Sequence, residues 1–172
     1  MKWLCSSPSP EVEMIRIQTE DFDVAALNAE LRATAGGKAG AMVTFTGYVR
    51  DQADGTATES LFLEHYPGMC EREIEAVCDQ ARQRWPILDT LVVHRVGELH
   101  LTEQIVYVGV TSAHRGDAFR ACEFIMDVLK TRAPFWKRET LADGKRFWVQ
   151  QRDSDAQKTD SWNTSADTNK HV

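Results

Sequence analysis

The sequence contains no apolar run that approaches the roughly 18 residues a membrane-spanning helix requires. Its first eight residues also lack the apolar stretch of a secretory signal peptide. Basic charge is not in excess, since 20 Lys and Arg stand against 26 Asp and Glu. A duplex-binding protein normally has the opposite balance because it must neutralise phosphates. These absences favour a cytoplasmic protein whose main partner is neither a membrane nor a nucleic acid.

Several common functional motifs are also missing. The four cysteines, Cys5, Cys70, Cys78 and Cys122, form no Cys-x-x-Cys pair, which favours reduced, mostly buried thiols over a metal site or a disulfide framework. The sequence has no Gly-rich P-loop, no dinucleotide-binding fingerprint and no Gly-x-Ser-x-Gly elbow. The corresponding nucleotide-dependent and serine-hydrolase chemistries are therefore disfavoured, and no metal is expected.

The chain has the size of one domain with two loose ends. A length of 172 residues, 42% of them hydrophobic, is enough for a single sizeable core. Residues 1–10 are rich in Ser and Pro, and residues 153–172 are mostly polar, with Trp162 as their only large aromatic residue. Such segments bury too little apolar surface to offset their ordering entropy. We expect a flexible segment over 1–10, a folded domain over 11–152 and a polar, disordered tail over 153–172.

Hydrophobic periodicity predicts an α+β fold. A stripe of apolar residues at helical spacing runs from Cys70 to Trp85, and helices are also predicted from the caps Asp21 and Asp117. Pro67 suits the first turn of the middle helix. Alternating or β-branched segments predict strands over residues 12–18, 41–50, 60–65, 88–96, 104–111 and 146–150. This order predicts a mixed, largely antiparallel sheet with about three helices.

The most unusual segment is basic. Residues 130–138 contain four cations, interleaved with Pro134, Phe135 and Trp136, in an otherwise acidic protein. The helix dipole accounts for a cation at Lys130 but not for Lys137 and Arg138 in a segment stiffened by proline. Fixed positive charge is what an anionic ligand requires. Composition alone leaves a solvated basic turn and an anion site equally supported.

A second cluster favours the anion site. Residues 111–117 join a strand to a helix N-terminus, where backbone N–H groups beside His114 and Arg115 would attract an anion. His114 by itself is more often a structural or surface residue. Arg50, at the end of an apolar strand, is either a surface charge or a phosphate ligand. His65 and His94 lie on predicted strands and are interpreted as packing or hydrogen-bonding residues.

Five motifs occur in a characteristic order. They are Val43 to Gly47 followed by Val49-Arg50, Leu63 to Met69, His94 to Leu99, Val108 to Arg115, and Phe124 to Glu139. With these motifs, between about Met14 and Asp155, the chain resembles the large, catalytic subunits of molybdopterin synthases. The last motif is long and highly specific, and the earlier ones reinforce it by their order.

The resemblance implies a fold, an activity and partners. It implies an α/β-hammerhead-like fold and a homodimer within a heterotetramer, with a small ubiquitin-like sulfur-carrier subunit at each outer end. The implied enzyme is a sulfurtransferase. It transfers sulfur from the carrier's C-terminal Gly-Gly thiocarboxylate to cyclic pyranopterin monophosphate, which gives the dithiolene of molybdopterin. These steps need no metal, and no cofactor is expected.

The resemblance also implies site residues. Lys130 and Lys137 match the family's two active-site lysines; we expect the first to hold the thiocarboxylate or acyl intermediate and the second to aid proton transfer or opening of the cyclic phosphate. The residues that match the pocket around the pterin phosphate and the carrier tail are Arg50, His114, Arg115, Arg138 and Glu139. Arg152 matches an arginine that the family supplies to the neighbouring subunit's site. These cations are expected to line one cavity, with Phe135 and Trp136 as apolar walls.

Two other functions remain open at this stage. A non-catalytic module that binds a ubiquitin-like partner or a phosphorylated ligand would need the basic clusters but not both lysines. Binding of single-stranded RNA through Trp136 and its basic neighbours is disfavoured by the net charge of −6.

Overall fold

The computed structural model describes residues 14–51, 57–149 and 153–164. These residues contain eight strands and four α-helices. The strands are β1 (Ile15–Gln18), β2 (Ala41–Tyr48), β3 (Thr58–Glu64), β4 (Ile87–Arg95), β5 (Gly97–His100), β6 (Gln104–Ser112), β7 (Trp136–Leu141) and β8 (Arg146–Trp148). The helices are α1 (Val24–Ala35), α2 (Met69–Arg84), α3 (Arg115–Arg132) and α4 (Asp153–Thr164). None of these four helices is long and apolar enough to cross a membrane.

The larger sheet has the strand order β1-β4-β6-β2, with β1 parallel to β4 and the other neighbours antiparallel. Because side chains alternate between faces, Val92 joins the core formed with α2 and α3, while Leu91 and Val93 pack with Leu31 of α1. Gly109 permits the close approach of α1, since a Cβ atom there would lie 2.6 Å from Leu31 Cδ2. This sheet and its covering helices contain most of the core.

The smaller sheet is antiparallel throughout, in the order β5-β3-β7-β8. Leu61, Leu63 and Leu99 of this sheet form a third, smaller core cluster together with Val49. Strand β7 enters this sheet three residues after α3 ends, so it connects the two halves of the molecule. The cavity described below lies at this junction.

The predicted α+β class with a mixed, largely antiparallel arrangement is confirmed. The strands divide into two sheets, and β7 occupies residues that the sequence analysis treated as irregular. A strand forms there because β3 supplies a hydrogen-bonding partner along the whole segment, from Glu64 opposite Trp136 to Thr58 opposite Leu141. That partner is remote in sequence and leaves no local signal.

Two helix caps differ from the prediction. Asp23, rather than Asp21, caps α1 by accepting hydrogen bonds from the N–H groups of Ala25 and Ala26. Asp21 instead accepts from the side-chain amide of Gln104. The predicted cap Asp117 lies inside the first turn of α3, where its carboxylate complements the helix dipole.

The prediction of a disordered tail from residue 153 is wrong for residues 153–164, which form α4. The Trp162 ring packs edge-on against Trp85 and Phe124, with ring centroids 5.7 and 5.6 Å apart. Its indole N–H donates to Asp127 at 2.9 Å. Helix α4 is therefore held by tertiary contacts that its polar composition does not reveal. Residues 1–10 and 165–172, also predicted to be flexible, lie outside the described residues.

Replacing Trp162 by Ala should release α4 from α3 without unfolding the rest of the domain. Aromatic pairs of this geometry contribute about 0.5–1.5 kcal/mol beyond area burial, so the loss of two should speed amide exchange in α4 by about tenfold or more. Hydrogen exchange followed by mass spectrometry measures this effect. Asn163→Ala, at an exposed position of the same helix, is the matched control. Equal exchange in both variants would contradict the anchoring role of Trp162.

Candidate active site

A cavity of about 750 Å³ lies where the end of α3 meets β2, β4 and β7. Its walls are largely apolar and include Leu61, Leu63, Ile105, Leu129 and Phe135. The volume falls within the range of small-molecule sites in proteins. Charged and polar groups are few, so each one that enters this space has a large influence on what can bind.

Two lysines that are seven residues apart both line the cavity. Lys130 lies in the last turn of α3, and Lys137 is the second residue of β7. The connecting segment, residues 133–135, is held by a hydrogen bond from the Phe135 N–H to the Ala133 carbonyl at 2.8 Å. The Cys70 thiol also donates to the Pro134 carbonyl, with a distance of 3.6 Å. This fixed connection sets the placement of one ammonium group relative to the other.

Arg50 is the third cation of the cavity. It follows the buried Val49, whose backbone is tied to Glu103 and Thr102 by hydrogen bonds of 2.9 and 2.8 Å. The side chain thus starts from an ordered backbone at the end of β2. Arg50, Lys130 and Lys137 together form a site suited to an anion or to a group that becomes anionic during a reaction.

Asp155 also lines the cavity, and sequence reasoning missed it because residues 153–172 were predicted to be disordered. Its carboxylate Oδ1 lies 4.0 Å from Lys130 Nζ, in an ion pair whose lysine side chain is 53% exposed. Ion pairs this exposed typically contribute about 0.2–1 kcal/mol. An incoming anion can therefore compete with Asp155 for Lys130 at small cost.

His94 lines the cavity beside Phe135, with the two rings stacked at a centroid distance of 3.9 Å and an interplanar angle of 10°. Its Nδ1 lies 2.8 Å from the Arg95 carbonyl oxygen. Burial lowers the pKa of His94 to about 4, against a smaller upward effect of that hydrogen bond, and the nearby His65 lowers it further. The imidazole is therefore neutral at physiological pH.

The predicted convergence of the cations holds for three of them but not for His114 and Arg115. These two lie at the N-terminal end of α3, and neither lines the cavity. Arg115 precedes Lys130 by 15 residues, which corresponds to about 22 Å along the helix axis. Both side chains are exposed. In a single chain they cannot act on a ligand that contacts Lys130 unless that ligand is very long.

Two further predicted residues belong to β7 but lie outside the cavity lining. Arg138, on the opposite face of the strand from Lys137, stacks over Phe62 at 4.8 Å, and its buried Nε has no hydrogen-bond partner among the described residues. Glu139 is buried and accepts a hydrogen bond from the Thr58 hydroxyl. Both therefore hold β7 in its sheet. Arg152 lies outside the described residues.

The predicted apolar walls are found in part. Phe135 lines the cavity, as does Met126, whereas Trp136 points away and is 55% exposed. The alternation of side chains along β7 explains the difference, because Trp136 and Lys137 occupy opposite faces of the strand.

Comparison with known proteins identifies relatives over most of the chain. A family model described as "MoaE protein" matches residues 17–132. The molybdopterin synthase catalytic subunit of Vibrio cholerae is 52% identical over 149 residues, which cover 86% of this chain and 97% of that protein. The Escherichia coli protein of the same name is 55% identical over 123 residues, covering 72% and 81% of the two chains.

Solved structures of proteins with related names are also similar to this chain. The MoaE protein of Burkholderia ambifaria has a TM-score of 0.75 and 48% identity, covering 88% of this chain and 99% of that one. A molybdopterin synthase structure from Staphylococcus aureus has a TM-score of 0.75 and 32% identity, covering 81% and 99%. A complex of subunits 1 and 2 of a molybdopterin-converting factor from Helicobacter pylori, with a TM-score of 0.67 and 20% identity, shares the fold.

The lowered pKa of His94 predicts a pH-dependent component of stability. Between pH 6.5 and about 4 the unfolded chain takes up a proton at this histidine while the folded chain does not, so stability falls as the pH falls. The full effect is about 3 kcal/mol. His94→Phe removes the titrating group and should show a flatter decline. Urea unfolding at pH 7, 5 and 4 measures it, with Asn163→Ala, at an exposed position without a titrating group, as the control. Parallel declines for the Phe variant and the wild type would contradict the assignment.

Proposed function

Because this chain belongs to the MoaE family of molybdopterin synthase catalytic subunits, we propose that it transfers sulfur from the thiocarboxylated C-terminus of a small ubiquitin-like carrier to cyclic pyranopterin monophosphate. The product is the dithiolene of molybdopterin. The observation that carries this proposal is the meeting of Arg50, Lys130 and Lys137 in one largely apolar cavity. The free, buried cysteines Cys70, Cys78 and Cys122 suit action in the reducing cytoplasm.

The charges of the cavity fit the proposed chemistry. The substrate phosphate, the incoming thiocarboxylate and any tetrahedral intermediate are all anionic. Cations held in a partly dry space stabilise such charge as it develops, and they need little reorganisation during the reaction. Lys130 holds the thiocarboxylate or the acyl intermediate in place of Asp155, whose ion pair is weak. Lys137 aids proton transfer or opening of the cyclic phosphate, and Arg50 binds the phosphate.

The apolar walls fit a threaded peptide end. A Gly-Gly terminus has no side chains, so it can enter the cavity lined by Leu61, Leu63 and Phe135 with its terminal charge leading toward the lysines. The carrier is accordingly the proposed partner of this chain. Among proteins with this fold, the Helicobacter pylori structure is described as a complex of two subunits of a molybdopterin-converting factor.

Three of the remaining predicted residues, His114, Arg115 and Arg152, are proposed to act in the site of a second copy of the chain. His114 and Arg115 are about 22 Å from Lys130 along α3, so they can contribute to substrate binding only in a neighbouring subunit's site. The proposed homodimer within a heterotetramer supplies that arrangement, with Arg152 also acting across the dimer. Arg138 and Glu139 act indirectly, since their contacts hold the strand that carries Lys137.

Mixing the purified chain with the pterin precursor and the thiocarboxylated carrier should yield molybdopterin. Lys130→Ala and Lys137→Ala should each lower turnover by about 100-fold or more, because each removes a group that stabilises developing negative charge. Fluorescence detection of the oxidised product measures turnover, and calorimetry confirms that the carrier still binds.

Lys145→Ala is the matched control, since Lys145 pairs with Asp143 in an exposed turn outside the cavity lining. Absence of product with folded wild-type protein would refute the enzyme proposal and leave the binding-module alternative. Full turnover in both cavity variants would refute the roles assigned to the two lysines.

A further inference from the structure

The three cations of the cavity share one limitation. Lysine and arginine side chains only donate hydrogen bonds, so Arg50, Lys130 and Lys137 can recognise an anion but not a donor group on the same ligand. Such a site would accept many small anions. The Asp155 carboxylate is an acceptor, but the incoming anion is proposed to displace it from Lys130. Discrimination needs an acceptor in a fixed position, and the proposed sulfur transfer has so far assigned no role to His94, which also lines the cavity.

The tautomer of His94 follows from its surroundings. The Arg95 carbonyl oxygen can only accept, so the nitrogen that faces it at 2.8 Å, Nδ1, must carry the hydrogen. In the neutral ring the lone pair is then on Nε2. Within the described part of the chain, Nε2 makes no hydrogen bond. Arg138 Nε is the atom there that is both fully buried and unpaired, so Nε2 is not sealed inside the protein. It is therefore an available acceptor.

The ring is also held in one orientation. Phe135 covers one of its faces in a nearly parallel stack, and the hydrogen bond of Nδ1 fixes rotation about the side chain. Phe135 belongs to the chain segment that connects Lys130 to Lys137. The acceptor is thus placed relative to both lysines through direct contact with their connection.

We propose that His94 is a specificity-determining residue whose Nε2 accepts a hydrogen bond from an N–H or O–H group of the molecule that brings the anion to Lys130 and Lys137. This inference rests on the proposed function, in which two molecules enter the cavity. The donor belongs either to the pterin substrate or to a peptide N–H near the end of the carrier tail. An anion without such a donor would leave Nε2 desolvated and unpaired, which disfavours its binding.

Steady-state kinetics of His94→Phe and His94→Gln, with each substrate varied in turn, test the proposal. Phe keeps a planar ring for the stack on Phe135 but has no acceptor, whereas the Gln amide oxygen can reach the position of Nε2. We expect His94→Phe to raise one of the two KM values by about tenfold with a smaller change in kcat. His94→Gln should recover most of that loss. The substrate whose KM rises identifies the source of the donor.

Three results would overturn the inference. One is a Phe variant with both KM values and kcat equal to the wild type. Another is equal impairment of the Phe and Gln variants together with a lowered Tm, since this would indicate a packing role alone. If wild-type protein forms no product, the proposed function fails and the inference fails with it. Should His94→Phe not fold, His94→Met, which lacks a strong acceptor, gives the same comparison with Gln.

Discussion

The site depends on one constraint, which is the fixed path of the chain between the end of α3 and the start of β7. Two ammonium groups that line one cavity repel each other, so the backbone that connects them must set their separation. Pro134 ends the helix, the Cys70 thiol binds its carbonyl, and His94 stacks on Phe135. These two contacts come from α2 and from β4, which are remote in sequence from the segment, so the connection takes this path only when those elements have packed.

Strand β7 gives neighbouring residues different roles, because its side chains alternate between two faces. Its alternation directs Lys137 to the cavity and Arg138 to the opposite face, where the guanidinium stacks on Phe62. Glu139 is buried against the Thr58 hydroxyl. The basic segment of the sequence is therefore not a uniform anion-binding surface. Lys137 faces the cavity and Arg138 packs against the sheet, because adjacent residues of a strand point to opposite faces.

The sequence predicted those helices and strands whose formation depends mainly on their own residue pattern. The apolar stripe of α2 and the β-branched run of β2 specify their elements. The pattern of the basic segment left a solvated turn and an anion site equally supported, and the structure places Lys130 and Lys137 in the lining of one cavity. Three features were not predictable in this way. Strand β7 exists because of its partner β3, α4 because Trp162 finds Trp85 and Phe124, and His94 has its low pKa because the assembled fold desolvates it. The separation of His114 from Lys130 likewise follows from the length of α3, which the sequence predicted, although the cations were still expected to meet.

The electrostatic state of the cavity follows from these non-local contacts. A pocket with three cations and no compensation would be costly to form, and it would hold any anion that entered. Helix α4 offsets part of that cost by placing Asp155 near Lys130, in a pair loose enough for a ligand to displace. His94 adds no charge, because burial keeps its imidazole neutral. The three cations reach the cavity from the end of β2, from α3 and from β7. The counter-charge comes from α4 and the neutral acceptor from β4. This arrangement suits the proposed function, because it combines attraction for an anion with an acceptor that distinguishes one anion from another.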